Sequence, residues 1–274
     1  MLLSIDHRTD YAFDQLARTS VQYVRLTPRQ DPVQTVSHWS LHTNGRASAW
    51  RDGFGNIVHC VVHHDPHAMI ELHVQGQIDT VETHGVVPYD SQYDLSAEFY
   101  LRSTPLTEID DDIRDFVRQF STFRAKKNTL RGLHALMGGI HDHIAYVPGE
   151  TSVGTRAPDV LTLGRGVCQD HAHLFIACCR AWGIPARYVS GYLHSDSQDG
   201  RHLATHAWAE ALVEDLGWVS FDPSNRQSAT QAYVRLAVAL DYLGAAPVRG
   251  MRLGGGSEEM SVRVHVQQGE CQQQ

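Results

Sequence analysis

Apolar and polar residues alternate in short runs through the first part of the chain: SVQYVRLTP, VSHWSLHT, NIVHCVVHH and AMIELHVQGQIDTVETHG. A period of two places alternate side chains on one face, so each run predicts a half-buried strand. Between the second and third runs, WRDGFGNIV brings together Asp52, Gly53, Gly55 and Asn56, which supply the positive-φ and side-chain-capping chemistry of a tight hairpin. HHDPH, from His63 to His67, contains a proline and predicts a turn. Residues 1–105 are therefore expected to form a β-sandwich-like domain.

From Thr107 the period changes. TEIDDDIRDFVRQF opens on a threonine with an acid three residues later and gathers carboxylates in its first turn, which predicts a helix start. TLRGLHALMGGIHDHI continues helically, with apolar residues at 133, 136, 137, 140 and 144. The domain boundary is expected near 103–108, around STPLT, and a core over 106–266. After APDVLTLGRG, a helix is expected to open at Cys168 and to stop at Gly183, with Pro185 beyond. ARYVSGYL, HAWAEALV and WVSFDP read as strands, the last two paired through the turn Asp215-Leu216-Gly217. QAYVRLAVALDYL fits helix or strand, GGGSEE precedes a final strand MSVRVHV, and residues 267–274 are expected to fray. The fold class is α+β.

Composition narrows the function. The 274 residues are 42% hydrophobic and 20% charged, with net charge -8 and no basic stretch, which excludes a phosphate-neutralising surface and makes nucleic acid no partner. The N-terminus reaches Asp6, His7 and Arg8 before an apolar run of signal length forms, and no segment approaches a membrane span, so a cytoplasmic protein without a membrane partner is expected. Five cysteines, an odd and sparse set, fit a reducing compartment. The 18 histidines include the pairs His141/His143 and His171/His173, but no set of three or four ligands has a recognised metal spacing. No metal is expected, and most histidines are expected at the surface.

GRGVCQDHAHLFIACC, residues 164–179, raises three readings of Cys168: a nucleophile at a helix start, a metal ligand among histidines, or a buried thiol. A helix N-terminus and a nearby imidazolium stabilise a thiolate, and the Cys168 backbone N–H lies where it faces a developing oxyanion. His206 in THAWAE and Asp222 in WVSFDPSN are brought to neighbouring strand ends by the expected pairing, which supplies nucleophile, base and orienting acid. Cys178 and Cys179 lie deeper in the apolar helix and read as inert. Trp208 and Trp218 read as packing residues.

GVCQDHAHLFIACCRAWGIPARYVSGYL, HAWAEALVEDLGWVSFDPSN and YVPGETS together resemble the transglutaminase-like superfamily, specifically its bacterial two-domain members, and WRDGFGN is similar to a turn of their N-terminal β domain. The resemblance implies a papain-like core with the triad Cys168, His206 and Asp222. One departure is His171, where the resemblance leads one to expect an aromatic residue. It reads as a packing substitute, a second base, or a metal ligand beside Cys168, the first being preferred.

The implied reaction is acyl transfer through a thioester on Cys168, formed from a carboxamide or peptide and resolved by an amine or by water. Tyr146 is a candidate second oxyanion donor, and Gln169 a candidate turn or substrate residue. The mechanism needs no cofactor, and its partner is a protein or peptide substrate. Two alternatives stay open: a cysteine peptidase or amidase on the same fold, and a non-catalytic binding scaffold.

Overall fold

The computed structural model describes residues 1–88, 95–123, 129–195 and 205–269. Its first half is organised by one long strand, β1 (Leu2–Thr27), at the centre of a seven-stranded sheet. β2 (Gln34–Thr43), β3 (Arg46–Arg51), β4 (Ile57–His63) and β5 (His67–Thr80) follow in the order β2-β5-β1-β4-β3. The expected turn at 52–56 joins β3 to β4. There the Asp52 Oδ1 accepts the N–H groups of Phe54 and Asn56, each at 3.0 Å, and Gly55 takes φ 78°.

The sheet is creased across its middle. On one side of β1, β5 pairs with its first half and β4 with its second. On the other side, β14 (Glu258–Gln268) pairs with the first half and β13 (Val248–Gly254) with the second. The breaks at 14–16, 64–66 and 255–257 therefore lie side by side. Pro66 lacks a ladder N–H, and Gly254, Gly255 and Gly256, at φ 83°, 95° and 61°, occupy backbone that a side chain would strain. The sandwich-like expectation takes this form, and both halves contribute to one cluster containing Leu3, Val24, Val61 and Ile70.

Several readings are corrected here. Residues 2–19 and the exposed β3 are strands that period-two scanning did not isolate. β13 and β14, assigned from the sequence to the core segment, complete the first sheet, because β1 presents an open edge to them along its whole length. Conversely, β6 (Val86–Val87) pairs with the second sheet. The tail is ordered through Gln268, and Gly269 donates its N–H to the Leu2 carbonyl; residues 270–274 lie outside the described residues.

The second half packs helices on an antiparallel sheet. α1 is Asp111–Arg118, α2 Thr129–His143 and α3 Ala157–Leu163. α4 (Cys168–Ala181) is buried from Asp170 to Arg180 and lies against β9 (Ala186–Leu193), β10 (Thr205–Val213) and β11 (Gly217–Phe221). The sheet order is β12-β9-β10-β11-β6, where β12 is Tyr233–Ala239, and a short α5 (Tyr242–Ala245) follows. The ambiguous QAYVRLAVALDYL thus divides into strand and helix. In α2 the expected apolar residues Leu133, Leu136, Met137 and Ile140 are buried, as is Ile144 just beyond it.

The first core helix starts later than expected. Asp110 caps α1 by accepting the Ile113 N–H at 2.9 Å, whereas Thr107 is fully buried and receives Arg180 Nη1 at 2.6 Å. Its hydroxyl is committed to a buried guanidinium and is absent from the helix terminus.

Two amide side chains clasp the halves together. Gln34 donates to the Arg235 carbonyl (2.8 Å) and accepts its N–H (2.9 Å); Asn56 does the same to Val238 (2.8 and 2.9 Å). Beside them, buried Glu210 meets Arg187 at 2.6 Å and Arg235 at 2.9 Å, and Arg235 also pairs with Asp31 from the first half.

Candidate active site

Cys168 is the first residue of α4, so its N–H has no partner within the helix. The approach to it is fixed by Asp170, whose Oδ2 accepts the Val167 N–H at 2.8 Å and the Thr151 hydroxyl at 2.6 Å. Burial raises the Asp170 carboxyl above its ordinary value, and these hydrogen bonds work against that rise. The turn needs glycine at 166, because a Cβ there would sit 2.7 Å from the Asp170 side chain. Parallel pairing of β7 (Ala145–Tyr146) with β8 (Arg165–Gly166) then sets Tyr146 beside the same turn.

His206 and Asp222 meet as the strand pairing predicts. Val213 opposes Gly217 and Ala209 opposes Phe221, with Asp215 (φ 68°) and Gly217 (φ 90°) making the turn. At the far end His206 Nε2 lies 2.6 Å from Asp222 Oδ2, with side chains 8% and 1% exposed. This leaves Nδ1 as the open ring nitrogen, and Cys168, which lines the same cleft, is among the groups that favour the imidazolium. Burial disfavours the imidazolium, but the Asp222 and Cys168 interactions win and push it up to about 10. Burial likewise disfavours the Asp222 carboxylate, and hydrogen bonds from His206, Ser224 and Asn225 hold it down at about 2.

Asp222 is held by more groups than the sequence indicated. Oδ1 accepts Ser224 Oγ (2.6 Å) and the N–H groups of Ser224 (3.1 Å) and Asn225 (3.2 Å); Oδ2 accepts Asn225 Nδ2 (2.7 Å) and the Tyr233 hydroxyl (2.8 Å). The signal for Ser224 and Asn225 was present in DPSN, since an aspartate commonly accepts N–H groups two or three residues on. Tyr233 left no local signal, because β12 brings it in from elsewhere. Trp208 stacks on His206 with ring centres 6.2 Å apart and planes at 22°, and it is fully buried, as a packing residue should be.

The remaining candidates also surround Cys168. Tyr146 is a half-exposed ring beside Cys168; burial and then the neighbouring Cys168 and Asp222 charges push it up to about 12. Gln169 lines the cleft, its amide 3.5 Å from the Val153 carbonyl. His171 is buried and does more than pack, since Nδ1 lies 2.9 Å from the Val167 carbonyl and Nε2 lies 3.1 Å from the Ile144 carbonyl. It thereby ties the Cys168 turn to the segment carrying Tyr146. Burial lowers its imidazolium, against the pull of the two carbonyls and Asp170.

Other sequence readings resolve simply. Most described histidines are partly or fully exposed, as expected; His7, His63, His171 and His173 are the buried ones, their ring nitrogens finding partners within the sheets and helices. His171 and His173 point to different neighbours because they are two residues apart on a helix. Among the described residues, no group of three His, Cys, Asp or Glu side chains is placed to hold a metal ion, and no helix is long and apolar enough to cross a membrane. Cys178 and Cys179 are fully buried, and burial pushes both thiols up. Cys271 lies outside the described residues.

Comparison with known proteins follows the two halves of the chain. The family described as the transglutaminase-like superfamily matches residues 116–223, and the bacterial transglutaminase-like N-terminal region matches residues 3–79. An uncharacterised protein of Mycobacterium tuberculosis (strain ATCC 25618 / H37Rv) is 32% identical over 273 residues, covering 90% of this chain and 86% of its own. A protein-glutamine gamma-glutamyltransferase of Pseudomonas aeruginosa is 30% identical over 127 residues, 42% of this chain and 19% of that protein. The crystal structure of a candidate cysteine protease from Cytophaga hutchinsonii superposes with TM-score 0.77 at 20% identity, covering 100% of this chain and 92% of that one, and shares the fold.

Proposed function

The chain belongs to the transglutaminase-like superfamily as a cysteine enzyme of that fold, and from this premise we propose that it performs acyl transfer through a thioester on Cys168. The observation that supports this most directly is the His206–Asp222 pair, 2.6 Å apart, lying with Cys168 on one cleft. In the reading proposed, the Cys168 thiolate attacks a carboxamide or peptide carbonyl carbon and an S–C bond forms. The Cys168 N–H and the Tyr146 hydroxyl donate to the oxyanion. The C–N bond then breaks, and the leaving nitrogen takes the proton from the His206 imidazolium. An amine or water gives its proton back to His206 as it attacks the thioester, and the thiolate is released. Asp222 fixes the ring with Nδ1 toward sulfur throughout.

Iodoacetamide labelling of each cysteine from pH 5 to 9, in the native protein and in His206→Ala, tests the nucleophile. Fast labelling confined to Cys168 below pH 7 and lost in the variant is expected; slow labelling unaffected by the variant overturns it. Mass spectrometry after incubation with a glutamine peptide and a primary amine then reads the second step. Amine incorporation identifies transamidation, and ammonia or peptide release without it identifies hydrolysis.

A further inference from the structure

The cleft beside Cys168 has two walls of different origin. One belongs to the core and carries Cys168, His206, Tyr188 and Tyr242. The other belongs to the creased sheet: His7, Thr9 and Tyr11 from β1, with Val248, Met260 and Val262 from the strands along its edge. Its volume is about 290 Å³, at the small end of the roughly 300–1,000 Å³ typical of ligand cavities. That space suits one acyl substituent and its carbonyl.

The chemistry of the lining is uneven. Among the described residues lining the cleft, none beyond the Cys168–His206 pair is an Asp, Glu, Lys or Arg. His7 is neutral, since burial brings its imidazole down to about 4, and its nitrogens are taken by the Tyr192 hydroxyl (2.8 Å) and the Thr9 hydroxyl (2.9 Å). The outer rim is apolar and wet: Met260 is 58% and Val262 45% exposed. A charged acyl group entering here loses hydration without gaining a counter-charge from these described residues, whereas an apolar one covers the rim.

We propose that the cleft selects a neutral acyl donor bearing an apolar or aromatic substituent, and that the first sheet, through Tyr11, Met260 and Val262, is the selecting wall. This rests on the acylation of Cys168 proposed above. It gives the N-terminal sheet a direct part in substrate choice.

The probes are two nitrophenyl esters, 3-phenylpropanoate and 3-(4-carboxyphenyl)propanoate, which differ by one distant charge. Thiolate attack forms the S–C bond, breaks the ester C–O bond and releases coloured nitrophenolate. Rates are measured at about 0.5 M salt, which screens the overall negative charge, and each is divided by the iodoacetamide rate of the same protein. Native protein is expected to prefer the neutral ester by about tenfold or more, a difference of about 1.4 kcal/mol. Met260→Lys is expected to narrow that ratio at least fivefold by placing a cation at the rim, and Tyr11→Leu to slow the aromatic ester.

The contrary outcomes separate cleanly. Equal rates for the two esters overturn the selection while leaving the nucleophile in place. A preference that neither substitution alters overturns the sheet as the selecting wall. Iodoacetamide labelling of Cys168 with neither ester accepted overturns the cleft as the acyl site. Failure of both labelling and acylation at Cys168 overturns the acyl-transfer reading itself.

Discussion

Strand β10 carries two buried charged side chains on one face, His206 and Glu210, and they are used in opposite ways. Glu210 is fully buried; dehydration works against its charge, and Arg235 and then Arg187 hold its carboxyl below the ordinary range. Nothing in this group faces the cleft. His206 is paired as closely, but Cys168 stands on its open side and the cleft begins there. A buried ion pair is therefore not by itself a sign of chemistry. What distinguishes the His206–Asp222 pair is Cys168 beside it and an access route, and the sealed pair instead joins the two halves of the chain through Arg235 and Asp31.

The sharpest test of this contrast is Asp222→Asn. Loss of the carboxylate frees the His206 ring, and Cys168 acylation by a nitrophenyl ester is expected to fall by about a thousandfold, roughly 4 kcal/mol of barrier. An unchanged rate would break the comparison. Glu210→Gln is expected to act on stability instead, because it removes the buried carboxylate that Arg187 and Arg235 share; urea unfolding should show a loss of about 3–5 kcal/mol. The acylation rate of the folded variant should stay near that of the native protein.

His171→Phe comes next. The ring fills the site but cannot reach the Val167 and Ile144 carbonyls, so a loss of about 1–3 kcal/mol is expected in the same unfolding assay. A neutral result would return His171 to plain packing. The smallest effect is a pH dependence. The His206 imidazolium, raised to about 10, contributes its stability fully below pH 6.5 and loses it as the pH rises through about 10; Asp222, lowered to about 2, contributes fully above pH 3.8 and loses it as the pH falls through about 2. The melting-temperature gap between native protein and Asp222→Asn should thus be widest between about pH 4 and 6.5 and shrink toward pH 10.

Local pattern carried much of this into the sequence. The helix at Cys168, the hairpin at Asp215–Gly217 and the meeting of His206 with Asp222 follow from capping, turn chemistry and strand period. Tyr233 and the Arg235–Asp31 pair did not, since they depend on which distant strands become neighbours. The final strands were misassigned for the same reason: GGGSEE and MSVRVHV specify a bend and a strand, but β1 is what recruits them. His171 misled in a different way, because a residue standing in an aromatic's place was read by volume while its two nitrogens went to backbone carbonyls.

The clasps of Gln34 and Asn56 on β12 bear on how the chain behaves when divided. Each amide turns one N–H and its carbonyl to β12, as a neighbouring strand does at a paired residue, yet it presents no fresh ladder behind it. Gln34 and Asn56 therefore act as terminators: they end the growth of the second sheet at β12 where another strand would propagate it. Cutting away the first eighty or so residues would remove both terminators at once and lay bare the β12 edge of the second sheet.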